Sequence, residues 1–273
     1  MINNIMSIAG TDPISGAGIQ SDIKTFSALK TYGVSVITSI ISQNSFEVRK
    51  IFPLNPNLVV NQMNAIFDDI YIHAIKIGVL VNDKIIKAIS TNLQKKRIKC
   101  PIIFDPILFS SNGKCLLKIK YIKSLKENLF PLLTLITPNL FEILFLIKKI
   151  KNKILKKEIY LLLREIRDFN IPWVLLKGGH LKGKKCIDFL CNFKKIIKFI
   201  SKKINNKNIH GTGCTFSSAI TALLSKYNNI PISVYLAKKY LNKTLINSNK
   251  LNITKKNCII NHFYKFWNNF DLI

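Results

Sequence analysis

Six short runs of apolar, often β-branched residues, set between longer stretches of helical periodicity, constrain this chain more than any other feature. Residues 5–9, 34–41, 74–80, 102–105, 133–137 and 173–177 leave too few polar positions to expose a face, so each predicts a strand buried on both sides. Between them, residues 21–30, 57–70, 83–97 and 156–169 repeat apolar side chains at helical spacing. That alternation predicts an α/β fold, a mostly parallel sheet with helices on both faces. Residues 186–193 and 196–200 read as a later antiparallel pair, followed by a glycine turn and helices over about 212–224 and 230–247. No repeat or linker interrupts the pattern, so residues 1–273 read as one domain, and ligands are expected at the carboxyl ends of its strands.

Composition narrows the functional classes. The formal charge of +28 suggests a nucleic-acid surface, yet only four basic residues are Arg (Arg49, Arg97, Arg164, Arg167) against 38 Lys. Base and phosphate readers favour the planar guanidinium. With 46 Ile and 28 Asn, the lysines share AT-rich codons, so the charge is read as mutational drift and the lysine-rich stretches 147–157 and 194–207 as solvated surface. Six cysteines form no C-x-x-C pair, and disulfides or structural zinc are not expected. The opening MINNIMSIAG lacks a basic segment before a long apolar one, and every apolar stretch breaks before about 18 residues, so neither export nor membrane insertion is expected. A cytoplasmic location follows as an expectation.

Chemistry concentrates just after the predicted strands. His210, Gly211, Thr212, Gly213, Cys214 and Thr215 stand where a loop becomes a helix, so backbone N–H groups can converge with the positive end of the helix dipole into an anion hole. Such a hole suits a transferring phosphoryl group, although an isolated G-x-G is more often a plain turn. In the first helical turn, Cys214 is expected to have a lowered pKa and to serve as a base; packing is the alternative. The loop GTDPISGAGIQSD (residues 10–22) lets a ligand approach the backbone, with Asp12 and Asp22 as acceptors. Gln43 offers the donor and acceptor that complement an aminopyrimidine edge. Asp105, Asn139 and Glu142 suit Mg²⁺, while Asn139 and Glu142 alternatively form a capping box. Lys177 ends a strand before Gly178 and Gly179 and can meet a phosphate. The nearby GGHLKGKK is not a P-loop, because Lys185 replaces the required Ser or Thr and a strand follows. His180 and His210 are read as hydrogen-bonding loop residues.

Taken in order, GTDPISGAGIQSD, TFSALKTYGVSVIT, Gln43-Asn44, KIGVL, IIFDP, LITPNLFE, VLLKGGH and HGTGCTFSSAI resemble the hydroxymethylpyrimidine/phosphomethylpyrimidine kinases of thiamine synthesis, in the ribokinase-like superfamily. The resemblance implies a ribokinase-like three-layer sandwich, a homodimer, ATP and Mg²⁺. It also implies phosphorylation of 4-amino-5-hydroxymethyl-2-methylpyrimidine to its monophosphate and then its diphosphate. By position, Gln43 and Asp22 would hold the pyrimidine, with Gly10, Ala17, Ile41 and Val79 around it. Gly211, Thr212, Gly213 and Cys214 would form the anion hole, Lys177, Asn139 and Thr212 would meet ATP, and Glu142, Asn139 and Asp105 would organise the metal. The chain departs from the family pattern at Ile14 and Ser15, where Ser and Gly are usual, at residues 108–111, and at Ile209, where Thr is usual. Pyridoxal kinase is the nearest alternative, and a basic nucleic-acid-binding protein a distant one.

Overall fold

A computed structural model describes residues 1–109, 113, 115–149, 156–167, 169–179, 183–204, 209–249, 251, 253–254 and 257–267. The first strand, β1 (Asn4–Gly10), is buried from Ile5 onward, as its run of apolar residues requires. In chain order follow α1 (Gly18–Ala28), β2 (Tyr32–Gln43), β3 (Val48–Pro53), α2 (Pro56–Asp69), β4 (Ala74–Ile77), α3 (Asp83–Lys95) and β5 (Ile102–Phe104). A short helix α4 (Ile122–Ser124), β6 (Leu135–Ile136), α5 (Leu140–Leu146), α6 (Lys156–Arg167) and β7 (Trp173–Leu176) come next. The antiparallel pair β8 (Lys185–Cys191) and β9 (Ile196–Lys202), β10 (Ile209–His210), α7 (Thr212–Tyr227), α8 (Ile230–Ser248) and β11 (Cys258–Ile259) complete the set used below.

Nine strands form one sheet in the order β3-β2-β1-β4-β5-β6-β7-β8-β9. Its inner pairs, from β2 across to β7, are parallel, and β3, β8 and β9 pair antiparallel at the two edges. Two apolar layers cover it. One packs α3 through Ile85, Ile86, Ile89 and Leu93 together with Ile122, Leu125, Leu129 and Phe130. The other packs α7 and α8 through Phe216, Ile220, Val234 and Leu241 onto Ile103, Leu135 and Leu175. Each fully buried Ile or Leu contributes roughly 1.5–3 kcal/mol, so the pattern of these positions decides the layering.

Local chemistry sets the helix starts. Asn82 Oδ1 accepts the Ile85 amide at 2.9 Å, with Asp83 in the first turn and Lys95 in the last, each complementing the helix dipole. Asn229 caps α8 in the same way. Two expectations needed adjustment. The strand expected over 74–80 stops at Ile77, and the one over 133–137 narrows to Leu135–Ile136, leaving Gly78, Val79, Thr137 and Pro138 as loop positions at the sheet's carboxyl edge. The helix expected at 21–30 begins at Gly18, three residues earlier. His180, within GGHLKGKK, and Ser110 and Ser111 lie outside the described residues.

Candidate active site

Above the carboxyl edge of the sheet, a cavity of about 1050 Å³ is lined by Gly10, Ala17, Ile41, Gln43 and Val79, and also by Asp105, Asn139, Glu142, Lys177 and residues 211–214. Sequence positions more than 200 residues apart therefore meet in one space. Among the candidate residues, Asp12 and Asp22 do not line it. Asp12 is buried against the first loop and His210. Asp22 is fully buried, and both its oxygens are taken by Lys76, Ser7 and Ser218. This corrects the expectation that Asp22 holds a pyrimidine.

The helix α7 begins at Thr212, just after Gly211, whose φ of 87° lies in the left-handed region. A β-carbon there would fall 1.6 Å from the carbonyl oxygen of Gly16, so only glycine fits. The first intrahelical acceptor is Gly211 O, which takes the Thr215 amide at 2.9 Å. The amides of Thr212, Gly213 and Cys214 have no intrahelical acceptor and lie at the positive end of the dipole. Lys177 Nζ stands beside them, at 3.3 Å from where a Gly213 β-carbon would be. An ammonium and a helix start thus face the same volume.

Lys177 is held by carboxylates. Its Nζ donates to Asp105 Oδ1 at 2.6 Å and lies 3.8 Å from Glu142 Oε2. Burial works to lower its pKa, but these two anions outweigh it and keep Lys177 charged. Burial likewise opposes ionisation of Asp105, yet Lys177 and Lys76 hold its carboxyl below the ordinary value. Asp105 also accepts from Thr137 Oγ1 at 3.2 Å and Ser217 Oγ at 3.0 Å. Glu142 behaves differently: burial raises it to about 7 against the pull of Lys177. Asn139 and Glu142 do form the capping box of α5, with Asn139 Oδ1 accepting the Glu142 amide and Glu142 Oε2 accepting the Asn139 amide.

The first loop closes the opposite side. Asp12 Oδ2 accepts the amides of Gly16 at 3.1 Å and Ala17 at 2.7 Å, and lies 2.9 Å from His210 Nε2. Burial would raise the Asp12 carboxyl, but His210, Gln43 and the Ala17 amide together bring it below the ordinary value. His210 is thus the hydrogen-bonding loop residue that the sequence suggested. Gly10 is closely packed, because a β-carbon there would lie 2.7 Å from Ser39 Oγ and 2.9 Å from both Ile41 Cδ1 and Val79 Cγ1. Ser15, where the related pattern has Gly, takes φ 58° and therefore carries backbone strain that glycine would not.

Cys214 reverses its expected chemistry. Burial dominates over Lys76 and the Gly18 amide, and pushes the thiol up to about 12. A helix start lowers a thiol pKa only while the anion is hydrated or directly paired, and Cys214 is only 6 % exposed. Sequence reasoning also missed Lys76, Ser217 and Ser218, which support the cavity floor from beneath. The visible signal was a lone lysine inside the apolar strand Ala74–Ile77. At the other end, Asp188, Lys202, Lys203 and Lys238 line the cavity as well, and Asp188 accepts the Gly178 amide at 2.8 Å while pairing with Lys238 at 2.5 Å. Beyond the cavity, His262 Nε2 lies 3.0 Å from Ser21 Oγ and 3.1 Å from Thr215 Oγ1, tying α1 and α7 to the segment after β11.

Comparison with known proteins gives consistent matches. The family described as phosphomethylpyrimidine kinase matches residues 12–261. Over 264 residues the chain is 35% identical to the hydroxymethylpyrimidine/phosphomethylpyrimidine kinase of Salmonella typhimurium, covering 97% of this chain and 98% of that one. A solved phosphomethylpyrimidine kinase from Clostridium difficile is 37% identical with a TM-score of 0.76, covering 88% of this chain and 98% of that one. An ADP complex of Bacillus subtilis pyridoxal kinase is 29% identical with a TM-score of 0.85, covering 96% and 98%.

Proposed function

The chain belongs to the phosphomethylpyrimidine kinase family, and on that premise we propose that it transfers the γ-phosphoryl group of ATP to 4-amino-5-hydroxymethyl-2-methylpyrimidine and then to the resulting monophosphate. The observation that carries this reading is one cavity in which the amides of Thr212, Gly213 and Cys214 and the Lys177 ammonium face an apolar wall ending in Gln43. A phosphoryl transfer needs mainly positioning and charge stabilisation, which this arrangement supplies without covalent chemistry. The pyrimidine lies against Gly10, Ala17, Ile41 and Val79, and the Gln43 amide pairs with its aminopyrimidine edge. The nucleotide enters from the end lined by Asp188, Lys202 and Lys203. Lys177, Asn139 and Thr212 meet its phosphates.

The carboxylate set fits a divalent cation through Glu142. Its carboxyl is buried and raised to about 7, so a cation nearby would relieve a cost the free protein carries. Mg²⁺ characteristically takes one or two carboxylates and leaves its other positions to water and phosphate. Glu142 would hold it, with Asn139 fixing the Glu142 carboxyl. Asp105 anchors Lys177 rather than the metal, because Thr137, Lys177 and Ser217 already engage both its oxygens. When bound, the cation neutralises charge on the phosphate oxygens.

Cys214 enters as a neutral thiol beside the attacking hydroxymethyl group. In a loose transition state the alcohol proton is lost late and passes to an oxygen of the transferred phosphoryl group, so the neutral thiol need only accept a hydrogen bond from the hydroxyl beforehand. The family's two chains pairing as a homodimer belongs to the same proposal. Direct turnover assays test the assignment: ADP release and phosphorylated product should appear with the pyrimidine alcohol and again with its monophosphate. Faster turnover of pyridoxal than of either pyrimidine would transfer the reading to pyridoxal kinase.

A further inference from the structure

Two lysines support the N-terminal turns of α7 from different sides. Lys177 stands on the cavity side. On the buried side lies Lys76 of β4, with no solvent exposure at all. Its Nζ donates to both oxygens of Asp22, at 3.0 and 2.8 Å. The same carboxylate accepts Ser7 Oγ at 2.6 Å and Ser218 Oγ at 2.6 Å. One carboxylate therefore joins β1, α1, β4 and α7. Gly78 makes the space, since a β-carbon there would lie 2.8 Å from Nζ.

Stability alone does not account for this pair. Desolvating each ion costs several kcal/mol, and apolar side chains of similar volume often replace a buried pair at no loss. The strand around Lys76 is otherwise Ala74, Ile75 and Ile77, all fully buried, so an apolar residue would continue its pattern. What distinguishes the position is its neighbour. Through Asp22, Lys76 reaches Ser218, one helical turn beyond Cys214 on α7, and its charge acts on Cys214, as Lys177 does, and on Asp105, the anchor of Lys177. Resting on the kinase reading above, we propose that Lys76, clamped by Asp22, is a positioning residue for phosphoryl transfer that fixes, through Asp22 and Ser218, how deep the N-terminal turns of α7 sit. It touches no substrate.

The test uses the full chain. Lys76→Met would strand a buried Asp22 charge, so the informative variant is the double Lys76→Gln/Asp22→Asn, which removes both charges and keeps amide and serine hydrogen bonds. Because displacing a reacting group by a fraction of an ångström lowers turnover sharply, kcat should fall at least about tenfold while KM for ATP and for the pyrimidine stay within about threefold. Alkylation of Cys214 by iodoacetamide at pH 9, followed by mass spectrometry of its peptide, should change severalfold in rate, reporting the shift of the turn that carries it. A second variant, Ser218→Ala, removes one hydrogen bond to Asp22 without altering charge and should lower kcat severalfold at unchanged KM. A folded double variant with kcat within about twofold of the parent, or Ser218→Ala with unchanged kcat, would overturn the proposal. Parent protein that fails to phosphorylate the pyrimidine would instead refute the kinase reading, and the alkylation comparison does not depend on it.

Discussion

Replacing Gly211 by Ala perturbs the anion hole through a single added carbon. That carbon would sit 1.6 Å from the Gly16 carbonyl oxygen, about half an ordinary contact, so the first loop or the helix start must retreat by well over an ångström. The φ of 87° adds roughly 1–2 kcal/mol of strain for any residue with a β-carbon. Moving the loop also disturbs the Asp12 carboxylate, which holds the Gly16 and Ala17 amides and lies 2.9 Å from His210. Strain and lost contacts together should lower the thermal midpoint by about 2–8 °C. Misplacing one oxyanion donor typically costs about 10²–10³ in kcat, and three amides sit on this turn. Gly113→Ala is the matched control: its φ of 84° imposes the same backbone strain, yet nothing lies within 4 Å of the added carbon. A coupled assay of ADP release at saturating ATP and pyrimidine should give a kcat for Gly211→Ala at least about 10² below the control. Equal kcat in the two variants would show that the Gly16 contact does not hold the donors in place.

Three other predictions follow from the same site. Glu142 titrates near 7 in the folded chain and near 4.5 unfolded, so its protonation stabilises the fold fully below about 4.5 and that contribution disappears as pH rises through 7. Glu142→Gln should therefore be more stable than the parent at pH 8 and no more stable at pH 4, by chemical denaturation; a constant difference would place the carboxyl elsewhere on the scale. Because Cys214 is raised to about 12, kcat should show no thiol ionisation between pH 6 and 10, and Cys214→Ala should cost about 10–100-fold in kcat with little change in pyrimidine KM. A rate limb near pH 8 that vanishes in the alanine variant would contradict this. Ser15→Gly relieves a left-handed backbone at the first loop and should leave stability equal or up to about 1 kcal/mol higher, read as a thermal midpoint; a clear loss would mean the serine side chain contributes more than its strain costs.

The fold was legible wherever burial on two faces forced an uninterrupted apolar run, as in residues 102–104 and 173–176. The edge strand Val48–Pro53 escaped notice because an edge needs no such run and tolerates Arg49 and Lys50 facing water. The stretch 119–132 also escaped, since it passes from a 3₁₀ turn through Ile122–Ser124 and the π-helical Leu125–Leu129 to another 3₁₀ turn, with no single period to detect. In the site, glycine-rich loops announced themselves because backbone approach demands glycine, and Gly10, Gly211 and Gly213 all reach the cavity. Asp22 and Cys214 were misjudged for a common reason. Their behaviour depends on Lys76 and on depth, neither of which is encoded beside them in the sequence, since Lys76 lies 54 positions from Asp22.

The tie between Ser21, Thr215 and His262 has a temporal meaning. Ser21 and His262 are 241 positions apart, so the turn that carries Thr215 acquires this support only after residue 262 has been synthesised. Loops this long close slowly. The tie therefore forms late during synthesis, and a chain cut short before residue 262 would hold all nine strands of the main sheet yet lack this support for α1 and α7.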